Sequence, residues 1–179
     1  GIAAFVLKYR LPTSPTLINP KWAPLQDAQR AIRIVRQNAE QWNIDGSQIG
    51  VMGFSAGGHL ASTLGTHYNE DTLKGINTDP INSISARPDF MMLIYPVITF
   101  DKKYYHGGSK NALIGENAKQ ETVDYFSNNL RKMIHHSNVI FLFLLSTLFS
   151  ITHHKLNHLN SIEIFYNVNQ QFFNHLSHI

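Results

Sequence analysis

Residues 53–57 read Gly53-Phe54-Ser55-Ala56-Gly57, and Gly58 and His59 follow directly. An apolar run, Gln48 to Phe54, leads in, and Leu60-Ala-Ser-Thr-Leu-Gly65 leads out. The order is strand, sharp turn, helix, with a serine at the apex. A serine on so tight a turn is forced into a strained backbone conformation that lifts its Oγ clear of the sheet, where it can attack a carbonyl carbon. The chemistry is nucleophilic acyl transfer, and Ser55 is the candidate nucleophile. Gly53 and Gly57, two positions before and after the serine, answer the steric demand, since a side chain at either would meet neighbouring backbone. The bare five-residue pattern is loose. The strand before it and the helix after it make it specific.

The composition must supply a scaffold for that turn. The 179 residues are 43% hydrophobic and 15% charged, enough for one domain with a core. The net charge of +3 gives no reason to expect a nucleic-acid partner. There is no cysteine, which excludes disulfides and thiolate metal sites and leaves the compartment open. After Asp124 the one acidic residue is Glu163, and seven of the ten histidines lie in that same stretch. The character of the chain changes near residue 131. The expected organisation is therefore a core at 1–131 that carries the elbow and a degenerate C-terminal part of the same domain at 132–179. Gly1 to Leu7 reads as a strand under way rather than a signal peptide. The apolar run Val139–Ile151 is 13 residues long. A bilayer span needs about 20, so it reads as a buried strand with an extension, and no membrane partner is expected.

Hydrophobic period places the remaining elements. Ile2–Tyr9 is continuously apolar, as a strand buried on both faces of a parallel sheet would be. Leu11–Pro24 is a loop with prolines at 12, 15, 20 and 24. Pro24–Trp42 is an amphipathic helix with Ala28, Ala31, Ile32, Val35, Ala39 and Trp42 inward, and Arg30, Arg33 and Arg36 on the wet side. A turn at 43–48 leads to the strand entering the elbow, and Gly58–Tyr68 is the elbow helix. Residues 69–87 form a loop, Pro88–Pro96 a third strand, 101–116 a polar insertion and Gln120–Arg131 a short helix. Val139–Leu145 is a fourth strand, and Asn160–Phe173 has the composition of a following helix. Strands alternating with helices predict an α/β fold, a mainly parallel sheet flanked by helical crossovers.

Several ordered blocks now carry a likeness. Lys8-Tyr-Arg-Leu-Pro12, Ala23-Pro-Leu-Gln-Asp-Ala-Gln-Arg-Ala-Ile-Arg33 and Ile49-Gly-Val-Met-Gly-Phe-Ser-Ala-Gly-Gly-His-Leu-Ala61 resemble bacterial α/β-hydrolase carbohydrate esterases of the acetyl-xylan and feruloyl esterase type. Ser85-Ala-Arg-Pro-Asp-Phe90, Ile94-Tyr-Pro-Val97 and Leu113-Ile-Gly-Glu-Asn117 continue it, so the likeness covers about residues 1–131. The resemblance implies a partial α/β-hydrolase fold and two-step ester hydrolysis. Ser55 would attack, a histidine would take its proton, and the Ala56 N–H would be one oxyanion-hole donor. The implied substrate is a small-molecule or polysaccharide ester such as acetylated or feruloylated xylan. No cofactor and no metal are implied. His59 lies four residues into the elbow helix and reads as a packing or hydrogen-bonding histidine rather than the base.

The pattern also breaks. The second oxyanion donor of relatives comes from an H-G-G-G-type loop, and this chain begins beyond it. The triad order of the fold is Ser, then acid, then His. Where an acid is expected after the fourth strand stand Leu148 and Phe149. Relatives place the histidine in a Gly-His-Gly-like loop, whereas no glycine follows Gly115 here. Asp101 and Glu163 are the substitutes for the acid, with Glu163 inside the expected helix. His175 and His178 are positional candidates for the base. His154 and His158 have a spacing that could share a metal on one helix face, but they lack the glutamate of H-E-x-x-H, and a solvated pair is the default reading. Two expectations follow: a serine carboxylesterase, or an inactive remnant of that family. A peptidase or lipase on the same fold is the weaker third. An interrupted or frameshifted reading frame would account for an incomplete domain, and a second frame encoding an Asp-Asp and Gly-His-Gly continuation is its check. Ile2–Leu7 and Phe141–Leu145 are the segments expected to aggregate if left unpaired.

Overall fold

The computed structural model describes residues 1–72 and 79–128, together with the backbone of 138–142 and 162–166. Five strands and four α-helices follow in the order β1 (Ala4–Leu7), α1 (Ala23–Gln37), β2 (Ile49–Phe54), α2 (Ser55–His67), β3 (Phe90–Ile94), α3 (Gly107–Ile114), α4 (Gln120–Phe126), β4 (Asn138–Leu142) and β5 (Ile162–Tyr166), with a short 3-10 helix at Pro80–Ser83. The sheet order is β1-β5-β2-β3-β4. β2, β3 and β4 run parallel, and β5 runs antiparallel to both β1 and β2. The expected α/β arrangement is therefore present, with one reversed strand inside it.

The core forms where the helical and strand periods meet. Leu25, Ala28, Ile32 and Val35 of α1 face Leu60, Ala61 and Leu64 of α2, over Ile49 and Val51 of β2 and Met91 and Leu93 of β3. β2 and β3 are buried almost throughout, as central parallel strands are. A second cluster, Phe100, Val123 and Phe126, packs beside Trp22 and Leu113 and joins α4 to the main body. Asn43 turns the chain after α1 with φ of 54°, a conformation asparagine tolerates better than most residues.

Three expectations are corrected. Ile2–Tyr9 is not buried on both faces. β1 spans four residues at the sheet edge, its residues alternate between exposed and half-buried, and Val6 is 69% exposed. An edge strand has one neighbour and one open side. Phe5 turns inward and stacks on Trp42 at 5.3 Å between ring centroids. Secondly, the helix expected at 160–173 is replaced, over its described residues, by β5. Ile162-Glu-Ile-Phe-Tyr166 combines β-branched and aromatic residues, which suit a pleated surface better than a helix.

Thirdly, the three arginines of α1 do not form a solvated face. Arg30 pairs with Asp79 at 2.8 Å, and Arg33 donates to the Ile84 carbonyl. Arg36 donates to the carbonyls of Gly46, Ser85 and Arg87 and pairs with Asp89, whose carboxylate also accepts the Ile49 N–H. The segment 79–89 lies on the helix, and the guanidinium groups satisfy backbone carbonyls that helix and sheet leave over. Arg36 thus fixes the entry to both β2 and β3. The polar insertion also gains a short helix, α3. Among the described residues no helix is long and apolar enough to cross a membrane.

Candidate active site

β2 delivers Ser55 to the carboxyl end of the sheet, the place where open α/β sheets present their crevice. Phe54 is still extended (φ −109°, ψ 139°), Ser55 has φ of 49°, and α2 starts there. A left-handed non-glycine residue costs roughly 1–2 kcal/mol, so the surrounding structure must hold it. It does so by close approach. A Cβ on Gly53 would collide with the Gly57 carbonyl and lie 2.7 Å from the Gly58 nitrogen, and a Cβ on Gly58 would lie 2.7 Å from Cβ of Pro96. The Ser55 carbonyl accepts the Val97 N–H at 3.1 Å. The side chain of Ser55 is solvent-exposed.

The neighbouring strand is bent in the same way. Phe54 pairs with Ile94, so Ser55 and Tyr95 are the next residues along two parallel strands. Tyr95 has φ of 35°, a severe conformation for a bulky residue. Its ring meets Phe54 edge-on at 6.0 Å. Sequence reasoning passed over Tyr95. The proline after it favours extended backbone at this position and gives no hint of the positive φ.

Ala56 opens the first turn of α2, where N–H groups have no carbonyl partner within the helix and the positive end of its dipole gathers. Ala56 also lines a cavity of about 300 Å³ between the 9–13 loop, the start of α1, α2 and α3. Leu11, Leu25, Leu60, Phe100 and Phe126 make it largely apolar, and among the described residues no aspartate or glutamate lines it.

His59 is buried and turned into structure, as its position on the elbow helix suggested. Its Nε2 lies 2.8 Å from the Phe126 carbonyl and its ring stacks on Phe100 at 4.6 Å. Burial, reinforced by His67 nearby, lowers its pKa to about 4 against the opposing hydrogen bond to Phe126. The ring is therefore neutral at pH 7, and Nε2 carries the proton it donates to Phe126. Asn128, fully buried, donates to the hydroxyls of Ser62 and Thr63 and accepts from Thr66. This network ties the segment after α4 to the elbow helix.

The remaining candidates fare differently. Asp101 sits in an exposed turn, where its carboxylate accepts the Lys103 N–H. Glu163 stands on β5 opposite Val6 and Met52, a strand residue and not a helix residue. His175, His178, His154 and His158 lie outside the described residues. Among the described residues no histidine or carboxylate hydrogen-bonds the Ser55 hydroxyl, and no group of three potential metal ligands occurs. Among the described residues the structure brings Ser55, Ala56 and the glycines together and does not join Asp101 to them.

Comparison with known proteins gives a consistent picture. Residues 1–121 match the family model described as BD-FAE. The chain is 43% identical over 128 residues to endo-1,4-beta-xylanase B of Butyrivibrio fibrisolvens, covering 71% of this chain and 19% of that protein. It is 38% identical over 116 residues to the acetylxylan esterase of Xylanibacter ruminicola, covering 65% of this chain and 20% of that one. It thus spans about a fifth of the length of these curated relatives. Among solved structures, an acetyl ester-xyloside bifunctional hydrolase from Caldicellulosiruptor lactoaceticus superposes with a TM-score of 0.60 at 32% identity, over 84% of this chain and 67% of that one.

Proposed function

The chain belongs to the BD-FAE family, and from that premise we propose that it forms the nucleophile-bearing core of a serine carboxylesterase that removes acetyl or feruloyl groups from xylan. The observation that carries this reading is Ser55 itself, held at φ 49° and exposed at the end of β2. Strain at an exposed serine is a cost no packing role requires. The names of the relatives and of the solved neighbour, which join xylan and acetyl-ester chemistry, support the substrate class.

The steps are those the elbow reading implies. The Ser55 Oγ attacks the ester carbonyl as a histidine takes its proton. The carbonyl oxygen becomes an oxyanion and accepts the Ala56 N–H, a donor worth about 10²–10³ in rate. Collapse of the tetrahedral adduct expels the sugar hydroxylate, which is reprotonated by the same imidazolium. Water then attacks the acyl-serine by the reverse proton path and frees the acid. By chain order His175 and His178 are candidates for the base, and Asp101 and Glu163 for its acid partner. No metal or cofactor enters these steps.

The absence of a histidine on Ser55 among the described residues favours a second reading, an inactive member that keeps the elbow as architecture. Labelling of the purified chain by a fluorophosphonate, with p-nitrophenyl acetate turnover alongside, separates the two. The esterase reading expects both signals, and their loss in Ser55→Ala. A folded chain that takes no label leaves the inactive reading standing.

A further inference from the structure

The segment Lys102-Lys-Tyr-Tyr-His-Gly-Gly-Ser-Lys110 is not used by the chemistry above; Lys102 to His106 and Gly108 are exposed, and Gly107, Ser109 and Lys110 are half-buried. We propose that this segment is a binding rim for a saccharide chain bearing carboxylate groups, continuous with the cavity beside Ala56. The inference rests on the esterase reading for the saccharide and on the rim's own chemistry for the carboxylate.

Tyr104 is 71% exposed and Tyr105 40%, side by side on a turn that begins α3. Lys103 places its ammonium 5.0 Å from the Tyr104 ring centroid, and Lys110 places its own 5.8 Å from that of Tyr105. Each lysine is thus partly held by a ring face, which lowers the entropy lost when it meets an anion. The electron-rich face of a phenol ring also receives the C–H face of a pyranose, which is apolar and weakly positive. One turn therefore presents a surface for a sugar ring and a charge for its acid group.

The rim's positive charge is uncompensated among the described residues, whereas three arginines of the body, Arg10, Arg30 and Arg36, are each paired with an aspartate. Among the described residues Lys102, Lys103 and Lys110 pair with no carboxylate. Lys110 donates to the Glu116 backbone carbonyl, which is neutral. The one carboxylate in the turn, Asp101, accepts the Lys103 backbone N–H.

The rim leads inward. His106 caps α3, its Nδ1 accepting the Ser109 N–H at 3.2 Å, and that bond leaves the proton on Nε2 as a donor. His106, Ser109 and Lys21 line the cavity that Ala56 also lines. Among the described residues no aspartate or glutamate lines that cavity.

The test uses the Ser55→Ala chain, so that no ester is consumed. Titration calorimetry at low salt compares a glucuronic-acid-branched xylo-oligosaccharide with the same oligosaccharide after reduction of its carboxyl to an alcohol, and with polyglutamate. The acid form is expected to bind about fivefold to tenfold tighter than the reduced form, the scale of a few exposed charge contacts, with the difference lost at high salt. Joint substitution of Lys102, Lys103 and Lys110 by glutamine should erase that preference, and Tyr104→Ala should weaken both saccharides. Equal binding of acid and reduced forms overturns the proposal. So does polyglutamate binding as tightly as the acidic saccharide, which would mean a polyanion patch. Fluorophosphonate labelling of the unsubstituted chain without this preference sinks the rim alone. The preference without labelling sinks the catalytic reading alone.

Discussion

Replacing Ser55 by glycine should make the protein more stable while abolishing its reaction with fluorophosphonate. The reasoning starts from φ 49°, which an L-residue occupies at a cost of roughly 1–2 kcal/mol. Glycine removes that cost but adds about 0.5–1 kcal/mol of unfolded-state entropy. Alanine keeps the strain and loses only a hydroxyl that is exposed. Ser55→Gly should therefore exceed Ser55→Ala by about 0.5–1 kcal/mol. With a urea slope of about 2 kcal/mol/M, the unfolding midpoint of the glycine variant rises by about 0.3–0.5 M over the alanine variant. Far-ultraviolet circular dichroism in urea measures it, and both variants should be silent to the label. A glycine midpoint at or below that of alanine would refute stored strain at the elbow, and with it the argument that this serine is held for chemistry.

Two further outcomes follow from side chains. His59 is neutral in the folded protein with a pKa near 4, whereas an unfolded histidine titrates near 6.5. The unfolded state therefore binds the extra proton, and stability is lost as pH falls from about 6.5 towards 4, by up to about 3 kcal/mol. Urea midpoints between pH 7.5 and 4.5 should show that decline, and His59→Gln should flatten it. Arg36→Ala strips partners from three carbonyls and from Asp89, at a side chain only 17% exposed. It should cost about 2–3 kcal/mol, whereas Arg10→Ala, at a pair with a half-exposed arginine, should stay within about 1 kcal/mol; thermal melts of the two variants decide it.

What the sequence disclosed divides along the range of the forces involved. The elbow was legible because its constraint is local: five residues carry the steric problem and its solution. α1 was legible because Ala28, Ile32 and Val35 repeat with the helical period. β1 was misread because burial on both faces depends on neighbours that the strand itself does not encode. The arginines of α1 were misread for a related reason. A polar stripe shows that a helix face is not apolar, and does not show that residues 79–89 lie across it. The composition of 160–173 suits a helix, but the β-branched and aromatic run Ile162-Glu-Ile-Phe-Tyr166 prevails over its described residues and puts Glu163 on a strand. Tyr95 went unnoticed because backbone strain leaves almost no compositional trace. The base and acid stayed open because their candidates lie far from the elbow in sequence, and the described part of the sheet brings none of them to Ser55.

β5 has a consequence for the order in which this fold can assemble. Phe165 pairs with both Ala4 and Gly50, so one late strand joins the first strand to the rest of the sheet. On the ribosome, β1, α1, β2 and α2 all emerge before that strand exists. At about 5–20 residues per second, roughly 6–22 s separate the completion of β2 from that of β5. Through that interval β1 and β2 each carry a row of unpaired N–H and C=O groups, and the final pairing closes a loop of some 160 residues (Ala4 to Phe165). The nascent chain is thus a strand acceptor waiting for its own tail. Any extended segment that arrives first, from a neighbouring chain or a chaperone, competes for the same slot, so yield should depend on synthesis rate and chain concentration more steeply than final stability would suggest.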